Sequence, residues 1–399
     1  MKIAILAFRH SIDDARVVHR EAASLHKAGH EVSLIFRCGA NGNFLNASSE
    51  ILQTQKDRKI PIKHMRMDLY GIWRKSGVWG RLQDVGEAAN LIKKLKVDVI
   101  HVHEPDLATL AGIRAKKKLK KAGHKTMLIQ DFHEHPPAMY AESFNSLIIQ
   151  RIIFKLAEMW DRITLKHTDL VFTANSIVRG YVLSKYAYMP CEILYNCPTL
   201  IAQDKIETKI TADDDRLKLV HEGSLNFIRG LREMVEAITA LKDKVQLIIV
   251  GDVFNEEGKW LRDKIKENKL ENTIKITGWL PYSEIEGYIQ QGDIGLIMFN
   301  ATLNNNLAGP PNKLFNYLKQ GMPVISSNIP ESKKIIQEEN CGIVINKLTK
   351  NGIISSVERI LDSPQETKLL SKNALNAFKK RYNWEIMEKN LLRGYDELK

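Results

Sequence analysis

Short apolar runs of strand length alternate with amphipathic helical segments along this chain, and the whole series restarts halfway. In the first half, Lys2–Phe8, Glu31–Arg37, Val97–Glu104, Thr126–Phe132, Asp169–Ala174 and Glu192–Tyr195 read as strands. Helical patterns lie between several of them, at Asp14–Lys27, Leu107–Lys121 and Leu147–His167, and Ala-Gly closes two of these at Gly29 and Gly123. The second series runs through Leu217–Val220, Val245–Val250, Ile274–Thr277, Asp293–Phe299, Pro323–Ser326 and Gly342–Ile345. Continuously apolar strands separated by helices predict parallel sheets covered on both faces. The polar stretch Ala202–Arg216 is the natural linker between them. The expectation is an α/β protein of two doubly wound Rossmann-like domains, 1–200 and 201–365, with a helical tail at 366–399. Ligands of such sheets bind beyond the carboxyl ends of the strands, so a cleft faced by both domains is the expected site.

Length and composition agree with two or three domains. The chain has 399 residues, 44% apolar and 27% charged, which is ordinary globular material. The longest apolar stretches are strand-sized and fall short of the ~18–20 residues that cross a bilayer. The opening Met1–Phe8 reads as a first buried strand rather than a secretory signal. The four cysteines form no Cys-x-x-Cys pair, which fits a reducing cytoplasm. The net charge of +12 is uneven: residues 1–200 hold 30 Lys and Arg against 19 Asp and Glu, and residues 201–399 hold 29 against 28. That asymmetry suits an anionic partner such as a membrane face, a lipid-linked phosphate or nucleic acid; solubility alone accounts for it equally.

No glycine-rich dinucleotide fingerprint and no P-loop follows any strand. Two segments of the second half look like anion sites. In Glu222-Gly-Ser-Leu-Asn-Phe-Ile-Arg-Gly230, Gly223 and Gly230 allow close backbone approach and Arg229 stands beside a helix N-terminus. Glycine and arginine are also common in any strand–helix loop. The run from Gly309 through Val324 is more specific. Pro311 suits the first helical position, Asn312 and Lys313 follow it, and Lys313 and Asn316 share a helix face one turn apart.

In the first half, His101-Val-His103-Glu104-Pro105 and Asp131-Phe-His133-Glu134-His135 both end strands. Alternation pairs His101 with His103, and His133 with His135, on one side. Zinc is considered and not expected, because no His-Glu-x-x-His occurs and no cysteine joins the cluster. Cleft-facing groups that bind hydroxyls are the reading adopted, with His101 and His135 also plausible as structural histidines. The segment Tyr70–Arg81 interleaves two tryptophans with Arg74, Lys75 and Arg81, which suits a membrane interface. The run Lys116–Lys121 adds positive charge or is a solvated helix face. No nucleic-acid-binding motif accompanies these residues.

Taken together, these motifs resemble a retaining glycosyltransferase of family 4, of the bacterial polysaccharide-biosynthesis type, with the GT-B fold. Asp14-Ala-Arg16 through Val32, His103-Glu-Pro-Asp106, Asp131-Phe-His-Glu134 and Leu194–Pro198 resemble the acceptor domain. Gly223–Gly230, Ile248–Asp252, Thr277–Leu280 and Pro311–Val324 resemble the donor domain. The resemblance implies sugar transfer with retention from a UDP- or GDP-sugar to a glycan or lipid-linked acceptor, without a cofactor and generally without a bound metal. It also implies a C-terminal helix that returns to the first domain, which the chain from Tyr382 onward would fit.

Roles follow from the same resemblance. Arg229 and Lys313 would neutralise the leaving diphosphate and His133 would contact the donor sugar near the reacting carbon, making these three the catalytic set. Gly223, Ser224, Gly251, Asp252, Trp279, Leu280, Asn312 and Asn316 would complete the nucleotide-sugar site. Asp14, Arg16, His103, Glu104 and Glu134 would lie on the acceptor side. Three residues depart from the family pattern. Ser224 stands where many members have a second arginine, Asn316 stands where a glutamate commonly holds the ribose, and Ala308 stands at the earlier glutamate. The expectation is a cytoplasmic enzyme peripheral at an anionic inner membrane face, without a nucleic-acid partner. The alternatives are a silent nucleotide-sugar-binding paralogue or partner subunit and, further off, a sugar-nucleotide epimerase.

Overall fold

Short strands with nearly every side chain buried form the centre of each half. Ile3–Leu6 are fully buried in β1 (Lys2–Leu6), and all six residues of β10 (Val245–Val250) are buried. In this computed structural model, residues 1–38, 59–62, 65–73, 77–200, 215–300, 309 and 311–398 are described. The chain divides into two compact units: Met1–Tyr195 with Met387–Lys399, and Asn196–Ile386.

The first unit is built on an eight-stranded sheet. Besides β1 it contains β2 (Glu31–Cys38), β3 (Lys59–Ile62), β4 (Met65–Trp73), β5 (Val99–His103), β6 (Met127–Phe132), β7 (Leu170–Thr173) and β8 (Cys191–Ile193). The order is β3-β4-β2-β1-β5-β6-β7-β8, parallel except for the antiparallel β3–β4 pair. One core layer sits between the sheet and the helices Gly77–Leu95 and Leu107–Lys121.

The second unit has six parallel strands ordered β11-β10-β9-β12-β13-β14. They are β9 (Leu217–Glu222), β10, β11 (Ile274–Ile276), β12 (Ile294–Ile297), β13 (Val324–Ser327) and β14 (Gly342–Ile345). Its core joins Leu219, Leu247, Leu296 and Ile325 to the covering helices. The helix Pro364–Lys380 belongs to this unit: its Leu370 enters the core, and Ser371 donates its hydroxyl to the Gly321 carbonyl at 2.6 Å. From Met387 the last helix, Trp384–Asp396, is part of the first unit, where Tyr395 is fully buried. Gly394 lets this helix approach closely, because a Cβ there would lie 2.9 Å from the Phe172 ring.

Several local expectations change. Within the Tyr70–Arg81 segment, Tyr70–Trp73 end β4 and Gly77–Arg81 begin the helix Gly77–Leu95. The side chains of Trp73, Arg74, Lys75 and Trp79 lie outside the described residues, as do Ala308 and the linker 201–214. The helix expected from Asp14 starts at Val17 and is π-helical through Ala22. Pro311 is the N-cap of the helix Asn312–Lys319, one position earlier than expected. His133 and His135 do not share a strand face, because β6 stops at Phe132.

Candidate functional site

In the first unit, the carboxyl ends of β5 and β6 bring together residues far apart in sequence. His101 and His103 alternate along β5 and stack with ring centres 4.6 Å apart. His101 Nδ1 lies 2.8 Å from the Tyr395 hydroxyl, and His103 Nδ1 lies 3.0 Å from His133 Nε2. Beneath them Arg16 donates to both Asp131 oxygens at 2.8 and 2.6 Å, and through Nε to Glu21 at 2.7 Å. Arg16, Glu21 and Asp131 are all buried, so Arg16 positions these carboxylates from below. Asp14 is also a positioning group. It accepts the N–H groups of Arg16 and Val17 at 2.9 and 2.8 Å and holds His10 at 3.1 Å.

Burial sets the protonation of this cluster. It pushes Glu21 well above the carboxylate range, with the Asp131 charge acting in the same direction. Burial likewise drives His103 and His133 well below the usual imidazole value and His101 down to about 3, so all three are neutral at pH 7. Glu104 is pushed up to about 8 by burial and by Glu134. It also adopts the left-handed backbone region at φ 68°, which non-glycine residues seldom occupy. A bond from its N–H to the Asp131 carbonyl at 2.9 Å holds it there. Glu134 is exposed on the loop after β6. His135 instead caps the helix Pro136–Ala141, accepting from Ala138 N–H at 3.3 Å.

Two sets of side chains hold ligand atoms close enough for one ion: Glu21, His101, His103 and Asp131, and separately His10, Glu104 and His133. In the first set the Arg16 guanidinium already pairs with Asp131 and hydrogen-bonds Glu21, the place a divalent ion would otherwise take. Glu21, His10 and Tyr395 were missed from sequence. Tyr395 takes part only through tertiary contact, whereas His10 and Glu21 lie four and five residues from Asp14 and Arg16.

In the second unit the end of β9 and the helix Asn312–Lys319 are pinned together. The Tyr317 hydroxyl accepts the Glu222 N–H at 2.8 Å and donates to the Val220 carbonyl at 3.1 Å. That contact aims the helix face carrying Lys313 and Asn316 at the strand end. Lys313 Nζ lies 3.1 Å from His221 Nε2, and the Asn316 amide donates to both Glu222 oxygens at 2.8 and 3.0 Å. Arg229 donates to the Ser224 carbonyl and hydroxyl, each at 2.7 Å, so Ser224 orients the arginine. Arg229 and Lys313 lie against one ring, 5.6 and 5.8 Å from the centre of Phe299. Burial lowers both cations, Lys313 to about 7. His221, Glu222 and Phe299 were not singled out from sequence.

The loops beside these residues come close to one another. Gly251, with φ 147°, lies so near the Gly223 loop that a Cβ would stand 2.6 Å from the Gly223 carbonyl oxygen. The Asp252 carbonyl accepts the Leu225 N–H at 3.2 Å. Gly251→Ala is expected to cost about 1–3 kcal/mol and to displace the 223–230 loop, seen as a lower urea midpoint and weaker nucleotide binding. Trp279 is largely exposed after β11 with Leu280 half-buried beside it, and Asn312 is exposed at the start of its helix.

Two doubly wound parallel sheets, each presenting its polar groups at strand carboxyl ends, define the GT-B class of fold. Residues 15–197 match the family described as Glycosyltransferase Family 4, and residues 216–363 match Glycosyl transferases group 1. The two matches fall on the first and second sheets in turn. The structure of Anabaena HepE in complex with UDP aligns over the full length of both chains with a TM-score of 0.73 at 14% identity. An uncharacterized glycosyltransferase of Methanocaldococcus jannaschii is 21% identical over 61% of this chain and 63% of its own, so under two thirds of that relative is spanned. Alpha-D-kanosaminyltransferase of Streptomyces kanamyceticus is 20% identical over 86% of this chain and 88% of its own.

Proposed function

We propose that the protein transfers a sugar, with retention, from a UDP- or GDP-sugar to a glycan or lipid-linked acceptor in cell-surface polysaccharide synthesis. The reaction would run without a cofactor, at the cytoplasmic face of an anionic membrane. The observation that carries this reading is the pair Arg229 and Lys313 against Phe299, beside the close-packed Gly223 and Gly251 loops. Negative charge grows on a leaving diphosphate, so fixed cations there lower the barrier more than they aid ground-state binding. Neutral His133 suits a hydrogen bond to a sugar hydroxyl. Glu222, held by Asn316, supplies a carboxylate at the position where the resemblance expects one from the helix itself. That pairing supports ribose binding despite the amide at 316.

A thermal-shift panel of UDP, GDP, ADP, CMP and their sugars tests the reading. One nucleotide family is expected to stabilise the protein by about 2.7 kcal/mol at 100 times its dissociation constant. No shift with any of them would overturn it. The second reading, a silent paralogue, draws on Ser224 and Asn316 being engaged within the protein. Turnover of the stabilising donor removes that alternative.

Binding is also expected to depend on pH through Lys313. In the free protein burial holds it at about 7, with Glu222 pulling it up and Arg229 pushing it further down. A bound diphosphate raises it, so binding takes up a proton above pH 7. Affinity is then full below about pH 7 and falls as pH rises, by at most about tenfold per unit. Calorimetry near pH 8 in buffers of different ionisation heat measures the uptake, and Lys313→Met is expected to abolish it.

A further inference from the structure

The helix Leu147–Leu165 buries one face and leaves the other without a partner among the described residues. On the buried side Trp160 donates its indole N–H to the Pro105 carbonyl at 2.9 Å, and Phe154 packs on His135. Asp161 accepts the Tyr181 hydroxyl at 2.7 Å. On the opposite side Ile148, Ile152, Leu156, Met159 and Ile163 are 47 to 70% exposed. At about 100° per residue they fall within an arc of about 80°. Seven of the fifteen large exposed apolar residues among those described belong to this one helix. Such a stripe in water marks a contact surface.

The charges around the stripe identify its occupant. Arg151, Lys155 and Arg162 are exposed along one edge of it. Of the two acids on the helix, Asp161 is buried, and Glu158 is mostly covered and paired with Lys155 and Lys185 at 3.0 and 2.6 Å. The open face therefore offers hydrocarbon and positive charge only. A twofold contact with a second copy would set these cations near their own counterparts with no exposed acid on the helix to meet them. No helix among the described residues is long and apolar enough to cross a membrane. An in-plane position at the headgroup–acyl boundary satisfies both the stripe and its basic edge.

We propose that Leu147–Leu165 is an interfacial helix that docks the first unit on an anionic bilayer. Its buried face is fixed to Pro105 and His135, in the loops that carry Glu104 and His133. Docking therefore sets the acceptor-side residues at the lipid surface. This last step rests on the reading of a lipid-linked acceptor; the docking itself does not.

Sedimentation of the full chain with phosphatidylcholine vesicles, with and without phosphatidylglycerol, tests the proposal. Binding is expected only with phosphatidylglycerol and is expected to weaken with salt. The double change Ile152→Ser and Met159→Ser is expected to reduce it by about tenfold or more. Arg151→Ala with Lys155→Ala is expected to remove most of the salt dependence. Both variants alter exposed side chains, and an unchanged melting temperature checks their fold. Failure of the wild type to sediment with anionic vesicles, or equal binding by the serine variant, overturns the proposal. So does a concentration-dependent dimer that the serine variant dissolves in the absence of vesicle binding. If vesicles bind while no nucleotide shifts the melting temperature, the glycosyltransferase reading fails and the docking helix stands.

Discussion

Arg229→Ala is expected to lower turnover of the nucleotide-sugar donor by about 10²–10³-fold, the scale seen when one preorganised charge-stabilising group is removed from an active site. The effect should fall on kcat more than on KM, because diphosphate charge is greatest in the transition state. The arginine is held by both acceptors of Ser224 and by the Phe299 ring, so its orientation exists before a ligand arrives. Arg229→Lys should recover only part of the rate, since an ammonium cannot reproduce the guanidinium fork. Steady-state kinetics with the donor identified by thermal shift measures both. A wild-type rate in the alanine variant would remove Arg229 from the reaction.

Arg16→Ala is expected to cost about 3–5 kcal/mol of stability, a large part of what a domain possesses. Removing the guanidinium leaves Asp131 buried without its counter-charge and Glu21 without its hydrogen bond. The first unit should melt or unfold in urea well before the second, giving two transitions where the wild type shows a smaller separation. Arg16→Met with Asp131→Leu and Glu21→Leu removes the charges together and should recover much of the loss. A fall below about 1 kcal/mol for the alanine variant would mean that the network contributes little to stability.

The strands buried on both faces were legible in the sequence because a short, uninterrupted apolar run between turn residues is stable in water only when both of its sides are covered. The antiparallel pair β3 and β4 was not. β4 buries Met67 and Leu69 and half-exposes Asp68 and Tyr70, a period-two pattern obscured by the Gly71-Ile72-Trp73 end and the basic residues after it. Lys313 and Asn316 were legible because one helical turn separates them. Their partners were not, since 94 residues lie between Glu222 and Asn316 and 294 between His101 and Tyr395. The docking helix was visible as an amphipathic segment. Which face would remain bare depended on Trp160 and Phe154 finding partners elsewhere.

The discontinuity of the first unit has a consequence for biosynthesis. Its sheet is encoded before Tyr195, yet the hydroxyl that satisfies His101 and the glycine that seats the last helix on Phe172 come 200 residues later. At about 5–20 residues per second, the ribosome takes roughly 10–40 s to supply them. During that interval the nascent domain carries an unfilled groove beside Phe172, so a chaperone has a window in which to bind it.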